Sequence, residues 1–417
     1  MKNRMTAGAV ALVSSLVLSG CGSIPGLGDG GHTVTVWLMK GSVSQDFLDR
    51  FTESYEDEHP SVELEFVIQE WSGIGPKVIK ALDSDDAPDV IEVGNTQVAQ
   101  YAATGDLRDL TLESMRDLGG DDWIPGLAQP GKVNGGQYGI PWYAANRVVV
   151  YNKELFEQAG ITETPKTRKQ WLETSEKLNT GGTQGIYLPG QNWYVLAGFI
   201  WDEGGELADD SEGDWEGTLH SPAALKGMDF YKRLQQYGDG PKGGDEETPS
   251  QDEQFAEGDI AQMITTPGSA AAIEKKNPEL KGKLGFFPIP GKTAAAPGAV
   301  FTGGSDLIVP ESSSDRREGI EVVKALAGEK WQTELARTMS YVPNKTSLAG
   351  VVEGQEGTAA MAEGAARGRA TPNSPNWAAV EAVNPIKPYM TAVLEGADPA
   401  TEAKKASDSI TAKLIAG

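Results

Sequence analysis

Strand-like and helix-like hydrophobic patterns alternate in the first part of this chain, and their order constrains the fold more than any other feature. Residues 33–38 alternate apolar and polar side chains as a half-buried strand does, and residues 62–68 repeat the pattern. Between them, residues 42–58 place apolar side chains at helical spacing. A second helical pattern precedes a short apolar strand at 89–93. This β-α-β-α-β order predicts a mainly parallel sheet with ligands at the carboxyl ends of its strands.

The chain of 417 residues is longer than one hydrophobic core usually supports, so we expect two lobes. Residues 147–300 carry a second series of strand and helix patterns. Another strand pattern at 301–309 precedes a helical pattern at 316–326. No repeat of fixed period is visible, which disfavours solenoids and propellers. The fold class predicted from these patterns is α/β.

Residues 1–21 have the parts of a secretory signal peptide. Lys2 and Arg4 form a positive start, and residues 7–18 are an apolar run too short to span a bilayer as a helix. Small residues then precede Cys21, the single cysteine of the chain. This arrangement resembles the lipobox of bacterial lipoproteins and predicts lipidation of Cys21; an ordinary secretion signal with an incidental cysteine is the alternative. The glycine-rich residues 22–32 are typical of a flexible tether.

The charge of the chain excludes several classes of function. The sequence carries 60 acidic and 36 basic residues, for a formal net charge of −24. Such a surface repels phosphate backbones, so we expect no nucleic-acid partner. One cysteine and three histidines exclude a disulfide framework and a cysteine-rich metal site. The glycines at 26, 28 and 31 have the spacing of a dinucleotide-binding motif. No strand pattern precedes them, so we do not interpret them as such a motif. We therefore expect no cofactor and no metal.

Several strings together resemble one protein family. They are the strings at 87–97 (APDVIEVGNTQ), 138–142 (YGIPW), 151–156 (YNKELF) and 159–161 (AGI). In these the chain resembles the extracellular solute-binding proteins of carbohydrate ABC importers, in the maltose-binding-protein superfamily. The strings at 142–147 and 185–194 further resemble actinomycete-type lipoproteins for N-acetylglucosamine and chitobiose.

The resemblance implies a two-lobed periplasmic-binding-protein-like fold with three hinge crossings. Residues 33–143 with 304–342 would form the first lobe, and residues 144–303 with 343–417 the second. Each lobe would hold a mainly parallel sheet flanked by helices. The implied function is binding of a sugar and its delivery to the permease subunits of an ABC importer, without catalysis. The implied state is a monomer, anchored by its lipid to the outer face of the cell membrane.

A sugar offers an apolar C–H face and a rim of hydroxyls, so its site needs aromatic plates and planar polar groups. Tryptophans in loop-like positions are the candidate plates, with core packing as the alternative, and these are Trp71, Trp142, Trp193 and Trp377. Other residues are candidates for polar or backbone contacts with the sugar, and helix capping, a solvated side chain or a hinge are the alternative roles. These candidates are Asn95, Gln97, Asn192, Tyr143, Lys40, Gly304 and Ser305.

One string departs from the family pattern. Relatives commonly carry a tryptophan shortly after the strand pattern at 259–264, whereas residues 265–269 (TTPGS) contain no aromatic side chain. This departure leaves the size of the ligand open. A secreted glycoside hydrolase, with Glu70 or Glu92 near the cleft, is one alternative function. A binding protein for another oligosaccharide or a polyol is the other.

Overall fold

The computed structural model describes residues 31–71, 73–211 and 214–415. The predicted signal peptide, Cys21 and most of the predicted tether lie outside these residues. His32, the last residue of the predicted tether, belongs instead to the first strand, where it pairs with Val62. Within the described ranges, no helix combines the length and the apolar character that a membrane crossing requires.

The regular elements are numbered in chain order. The strands are β1 (His32–Met39), β2 (Val62–Gln69), β3 (Val90–Gly94), β4 (Lys132–Val133), β5 (Gly136–Gln137), β6 (Ile140–Ala144), β7 (Val148–Asn152), β8 (Ala208–Ser211), β9 (Asp214–Gly217), β10 (Gln262–Thr265), β11 (Leu284–Phe287), β12 (Val300–Phe301), β13 (Gly304–Ile308), β14 (Val342–Pro343) and β15 (Gly368–Arg369). The helices are α1 (Gln45–Glu58), α2 (Ile74–Leu82), α3 (Val98–Ala103), α4 (Thr111–Arg116), α5 (Pro125–Ala128), α6 (Lys153–Gln158), α7 (Arg168–Leu178), α8 (Trp193–Asp202), α9 (Pro222–Gln235), α10 (Gln251–Phe255), α11 (Ser269–Lys276), α12 (Arg316–Leu326), α13 (Glu329–Met339), α14 (Glu356–Ala365), α15 (Trp377–Val383), α16 (Ile386–Glu395) and α17 (Pro399–Leu414). Short 3₁₀ segments include Asn95–Gln97 and Thr346–Val352.

A six-stranded sheet in the order β14-β6-β13-β3-β1-β2 organises the first lobe. β1 pairs in parallel with β2 and β3, as the alternating patterns predict. β13 returns antiparallel to β3 and β6, and β14 pairs antiparallel to β6. The apolar residues Val34, Val36 and Leu38 of β1 share one face of the sheet, because strand side chains alternate between the two faces, and all three are buried there. Both faces of this sheet are therefore covered by apolar packing.

A three-stranded sheet in the order β10-β7-β11 organises the second lobe. Both pairings with β7 are antiparallel, which differs from the mainly parallel sheet expected in this lobe. Two isolated parallel bridges also occur, from Gln184 to Ile260 just before β10 and from Tyr187 to Met263 of β10. The apolar pattern predicts that a segment is a strand but not the direction in which the chain enters the sheet.

Within the described residues, three connections join the two lobes: β6 to β7, β12 to β13, and the segment after β14. Val342 and Pro343 pair with β6, and the side chain of Asn344 donates to the Pro141 carbonyl over 2.8 Å. The fold is thus a mixed α/β, two-lobed one, as predicted. The chain stays on the first lobe beyond residue 343, because Ser347 also contacts Asp122.

Candidate ligand-binding cleft

A cavity of about 450 Å³ lies where the carboxyl end of β3 faces the second lobe. Its lining comes from both lobes and from two of the connections between them. The lining residues are Trp71, Ile74, Gly94, Asn95, Thr96, Gln97, Tyr143, Ala145, Tyr194, Thr266, Phe301, Gly303, Gly304, Ser305, Tyr341 and Glu381. Six of the residues predicted for the site are among these lining residues: Trp71, Asn95, Gln97, Tyr143, Gly304 and Ser305.

The end of β3 supplies the amides of the cavity. All residues of β3 up to Val93 are buried, so the strand delivers the following 3₁₀ segment to the sheet edge. The side-chain NH₂ of Asn95 donates to the Thr302 carbonyl over 2.9 Å, which ties this edge to the second connection. The Gln97 carbonyl oxygen accepts from the Tyr101 hydroxyl over 3.1 Å, so its amide nitrogen is oriented away from that contact.

Tyr143 and Tyr341 form an aromatic plate on the first lobe. Their ring centroids are 4.0 Å apart, and the ring planes differ by 6°. The Tyr143 hydroxyl donates to the Glu92 carboxylate over 3.1 Å and accepts from Ser305 over 3.1 Å. These bonds fix the inner ring of the pair, and Tyr341 covers its outer side.

Glu92 is fully buried behind this plate and does not line the cavity. Its carboxylate accepts from the Met39 backbone N–H and from the Ser42 hydroxyl, each over 2.7 Å. Burial raises the pKa of Glu92, although its hydrogen-bond donors oppose that shift. Glu92 therefore orders β1, β3 and Tyr143 without contacting the cavity.

Tyr194 and Phe301 form a second plate on the other lobe. Their centroids are 4.3 Å apart with a 22° angle between planes. The Arg147 guanidinium lies 4.7 Å from the Tyr194 ring centroid and is held by Glu246 through bonds of 2.7 and 2.5 Å. Thr266, from the string 265–269 that contains no aromatic side chain, also lines the cavity. The cavity therefore has aromatic surfaces from both lobes.

Glu381 is the acidic residue of the lining, and sequence reasoning missed it. Its carboxylate accepts from the indole N–H of Trp377 over 2.8 Å and from the Thr96 hydroxyl over 3.2 Å. Burial raises the pKa of Glu381 to about 7, while these two hydrogen bonds oppose the shift. Thr96 belongs to the first lobe and Glu381 to α15 of the second, so this contact spans the cleft.

Five predicted site residues lie away from this cavity. Trp142 and Trp377 are completely buried, Trp193 is 5% exposed, and all three pack in the hydrophobic cores. Asn192 caps α8 by accepting from Val195 N–H, and Lys40 is exposed and pairs with Glu70 over 2.7 Å. In this arrangement no face of the three indoles is free to stack on a ligand in the cavity, so the structure does not support that role.

The packing of α8 explains why Trp193 lies in the core and not in the cavity. α8 is apolar and buried almost all round, so its first indole turns into the core, 6.5 Å from Trp377. Its neighbour Tyr194 points instead to the cavity. Trp193 and Asn192 line a separate space of about 190 Å³ beside the acidic segment 245–247. Within the string 185–194, the ring that lines the cavity is therefore that of Tyr194 and not that of Trp193.

A group that could hold a metal ion lies elsewhere among the described residues. His32, Asp315 and Glu318 place one ligand atom each within 4.8 Å of one another. None of the three lines the cavity.

The sequence matches the family described as bacterial extracellular solute-binding protein over residues 39–333. The chain belongs to this family. The predicted resemblance is confirmed. The solute-binding protein is also 38% identical over 389 residues to the diacetylchitobiose binding protein DasA of Streptomyces coelicolor, which covers 93% of this chain and 91% of DasA.

Solved structures share the fold of this solute-binding protein. The sugar-binding protein MalE from Xanthomonas citri gives a TM-score of 0.82 at 21% identity, covering 92% of this chain and 98% of MalE. The GacH receptor of Streptomyces glaucescens gives 0.76 at 24% identity, with 92% and 98% covered. At these identities the likeness establishes the two-lobed architecture.

Proposed function

We propose that this solute-binding protein captures a sugar in the cavity between its lobes and delivers it to the permease of an ABC importer. The observation that carries the proposal is the pair of aromatic plates, Tyr143–Tyr341 and Tyr194–Phe301, which line one cavity from opposite lobes. Aromatic faces match the C–H face of a pyranose ring, and Asn95, Gln97 and Thr266 offer partners for its hydroxyls.

An amino sugar or its disaccharide, such as N-acetylglucosamine or chitobiose, is the ligand that we favour. The similarity to DasA, whose name records diacetylchitobiose binding, supports this choice over most of the chain. The lining also supports an uncharged or cationic ligand, because no Lys, Arg or His is among the lining residues that the structure describes. A phosphorylated or carboxylated solute would meet Glu381 without a compensating cation.

The lining argues against glycoside hydrolysis. That reaction uses two carboxyl groups, one on each side of the scissile bond. Among the described lining residues only Glu381 is acidic. Glu92 is buried behind Tyr143, and Glu70 is exposed and paired with Lys40. Incubation with chitobiose should therefore release no monosaccharide.

The lobes would close on the ligand by rotation about their connections. The family resemblance implies lobes at residues 33–143 with 304–342 and 144–303 with 343–417. The contacts of residues 344–347 with Pro141 and Asp122 favour moving the end of the first lobe past Ser347. We further propose a monomer.

Anchoring is proposed from the sequence alone. Lipidation of Cys21 would hold the receptor at the outer face of the membrane and raise its concentration near the permease. Substitution of Cys21 by alanine should release the protein from cells and leave its sugar affinity unchanged. Lipid-linked membrane attachment of that variant would contradict the proposal.

The experiment that tests the ligand class is a thermal-shift screen of the purified protein. Chitobiose, N-acetylglucosamine, cellobiose, maltose and mannitol are compared at equal concentrations, since a ligand that binds only the folded state raises its melting temperature. A shift with chitobiose or N-acetylglucosamine is the expected result. A shift confined to maltose, cellobiose or mannitol would reassign the ligand, and no shift with any sugar would overturn the proposal.

A further inference from the structure

Glu381 provides the cavity with a carboxylate that has unused capacity to accept hydrogen bonds. One oxygen, Oε1, accepts from Trp377 over 2.8 Å, and the other, Oε2, accepts from Thr96 over 3.2 Å. A carboxylate has about four acceptor positions, so each oxygen keeps a position that these two donors do not fill. The residue lines the cavity, where a ligand would lie.

No cation of the described lining offsets the charge of this carboxylate. Arg147 lies 4.7 Å from the Tyr194 ring centroid, does not line the cavity, and is engaged in a two-bond ion pair with Glu246. The pKa of Glu381 is raised to about 7 by burial, and only two hydrogen bonds, from Trp377 and Thr96, oppose the shift. The ionised form therefore gains from any cation that enters the cavity.

We propose that Glu381 makes the cleft a site for sugars with a free ammonium group, so that de-N-acetylated amino sugars bind there in addition to their neutral N-acetylated counterparts. The inference rests on the proposed sugar-binding function. An ammonium group next to a pyranose ring would donate a charge-assisted hydrogen bond to the free positions of the carboxylate, which is stronger than a neutral bond. The aromatic plates would hold the ring in the same place for both kinds of sugar.

The overall charge of the chain acts in the same direction. With a formal charge of −24, the protein attracts cationic solutes and repels anionic ones. This field changes the rate of encounter, whereas Glu381 distinguishes the bound ligands by direct contact. Replacement of Glu381 separates the two effects. It changes the net charge by only one unit, whereas it removes the direct contact between the carboxylate and the ligand entirely.

A purely structural role of Glu381 is the competing explanation. In that case the carboxylate only links α15 to the first lobe through Thr96, and its loss weakens every ligand alike. Thr96→Val is the matched control, because it removes the hydroxyl that joins the lobes and keeps the carboxylate in the cavity.

Isothermal titration near neutral pH compares chitobiose with the disaccharide of the same linkage that carries two free amines. The protein and its variants Glu381→Gln and Thr96→Val are each titrated with both sugars. We expect the unaltered protein to bind both, and Glu381→Gln to lose about tenfold in affinity for the diamine but less than about threefold for chitobiose, as loss of a charged partner predicts. Thr96→Val should lower both affinities without a selective loss of the diamine as large as that of Glu381→Gln, because the carboxylate remains in the cavity.

Equal losses for the two sugars in Glu381→Gln would overturn the inference. Binding of chitobiose without binding of the diamine by the unaltered protein would overturn it too, while leaving the proposed function intact; binding of neither sugar would remove both. If Glu381→Gln does not fold, Glu381→Asp replaces it as the test, because it keeps the negative charge and withdraws the carboxylate from the ligand by one methylene. The diamine affinity of Glu381→Asp should fall more than its chitobiose affinity, and equal losses for the two sugars would contradict the proposal.

Discussion

The Thr96 hydroxyl donates across the cleft to the Glu381 carboxylate over 3.2 Å, from the end of β3 in one lobe to α15 in the other. Asn95, which also lines the cavity, donates to the Thr302 carbonyl of the second connection over 2.9 Å. The residues that line the cavity thus also connect the lobes. Ligand contact and lobe closure share the same side chains.

Removal of the Thr96 hydroxyl should weaken binding of a neutral sugar by making the closed arrangement less stable. Thr96→Val keeps the shape of the side chain and removes one hydrogen bond, which typically contributes about 0.5–1.5 kcal/mol. We expect chitobiose affinity to fall by roughly two- to tenfold, measured by isothermal titration. Thr104→Val is the control. It removes a hydrogen bond from the Thr104 hydroxyl to the Tyr101 carbonyl, which lies outside the cavity, and should leave the chitobiose affinity unchanged.

Trp71 should contribute to binding more than to folding. Its side chain lines the cavity, yet the residue is 43% exposed. Trp71→Ala therefore removes apolar surface that a sugar would cover, and we expect a loss of roughly 1–3 kcal/mol in binding free energy from reduced burial and stacking. The melting temperature without ligand should change little. Unchanged sugar affinity in this variant would exclude Trp71 from the site.

Trp193 should show the opposite pattern. It is buried in the second-lobe core and contacts the rings of Tyr194 and Trp377. Trp193→Ala should lower the free energy of unfolding by about 3–5 kcal/mol through loss of packing and formation of a cavity. Urea unfolding of this variant beside Trp71→Ala measures the contrast. A large loss of sugar affinity at unchanged stability would instead restore the stacking role that the sequence suggested for Trp193.

The parts of the fold that sequence reasoning predicted are those with strong local signals. Alternation in β1 and helical spacing in α1 predict those elements, and the residues that follow β3 lie in the cavity because strand ends meet at one sheet edge. Ser221 caps α9 by accepting from Ala224 N–H, and a serine directly before a helix is a local signal of this kind.

The rest of the site depends on long-range packing. Tyr341 lies just before β14 and Glu381 follows the third connection, so both are far along the chain from Tyr143 and Thr96. Nothing local distinguishes them from other polar or aromatic residues. Trp193 and Tyr194 are adjacent on α8, and successive helical residues face directions about 100° apart, so the choice between them depends on how the helix is placed. The directions of the strands in the second sheet likewise follow from the path of the chain.

The stability of the protein should depend on pH through Glu381. Its pKa in the folded protein is about 7, above its ordinary value of 4.5, because burial disfavours the charged form. The folded state therefore holds this proton more tightly than the unfolded state. The resulting stabilisation is fully present below pH 4.5 and is lost as pH rises from 4.5 to about 7.

Glu381→Gln isolates this contribution, because the variant cannot titrate at this position. Other buried acids with raised pKa values, Glu92 and Asp306, are common to both proteins and cancel in the difference. We expect the unfolding free energy of the unaltered protein minus that of the variant to decrease between these two pH values. The slope stays below the limit of about 1.4 kcal/mol per pH unit that one proton sets. Urea titrations at several pH values measure it, and a difference that is constant or rises with pH would show that the Glu381 carboxyl is not buried in the folded protein as described.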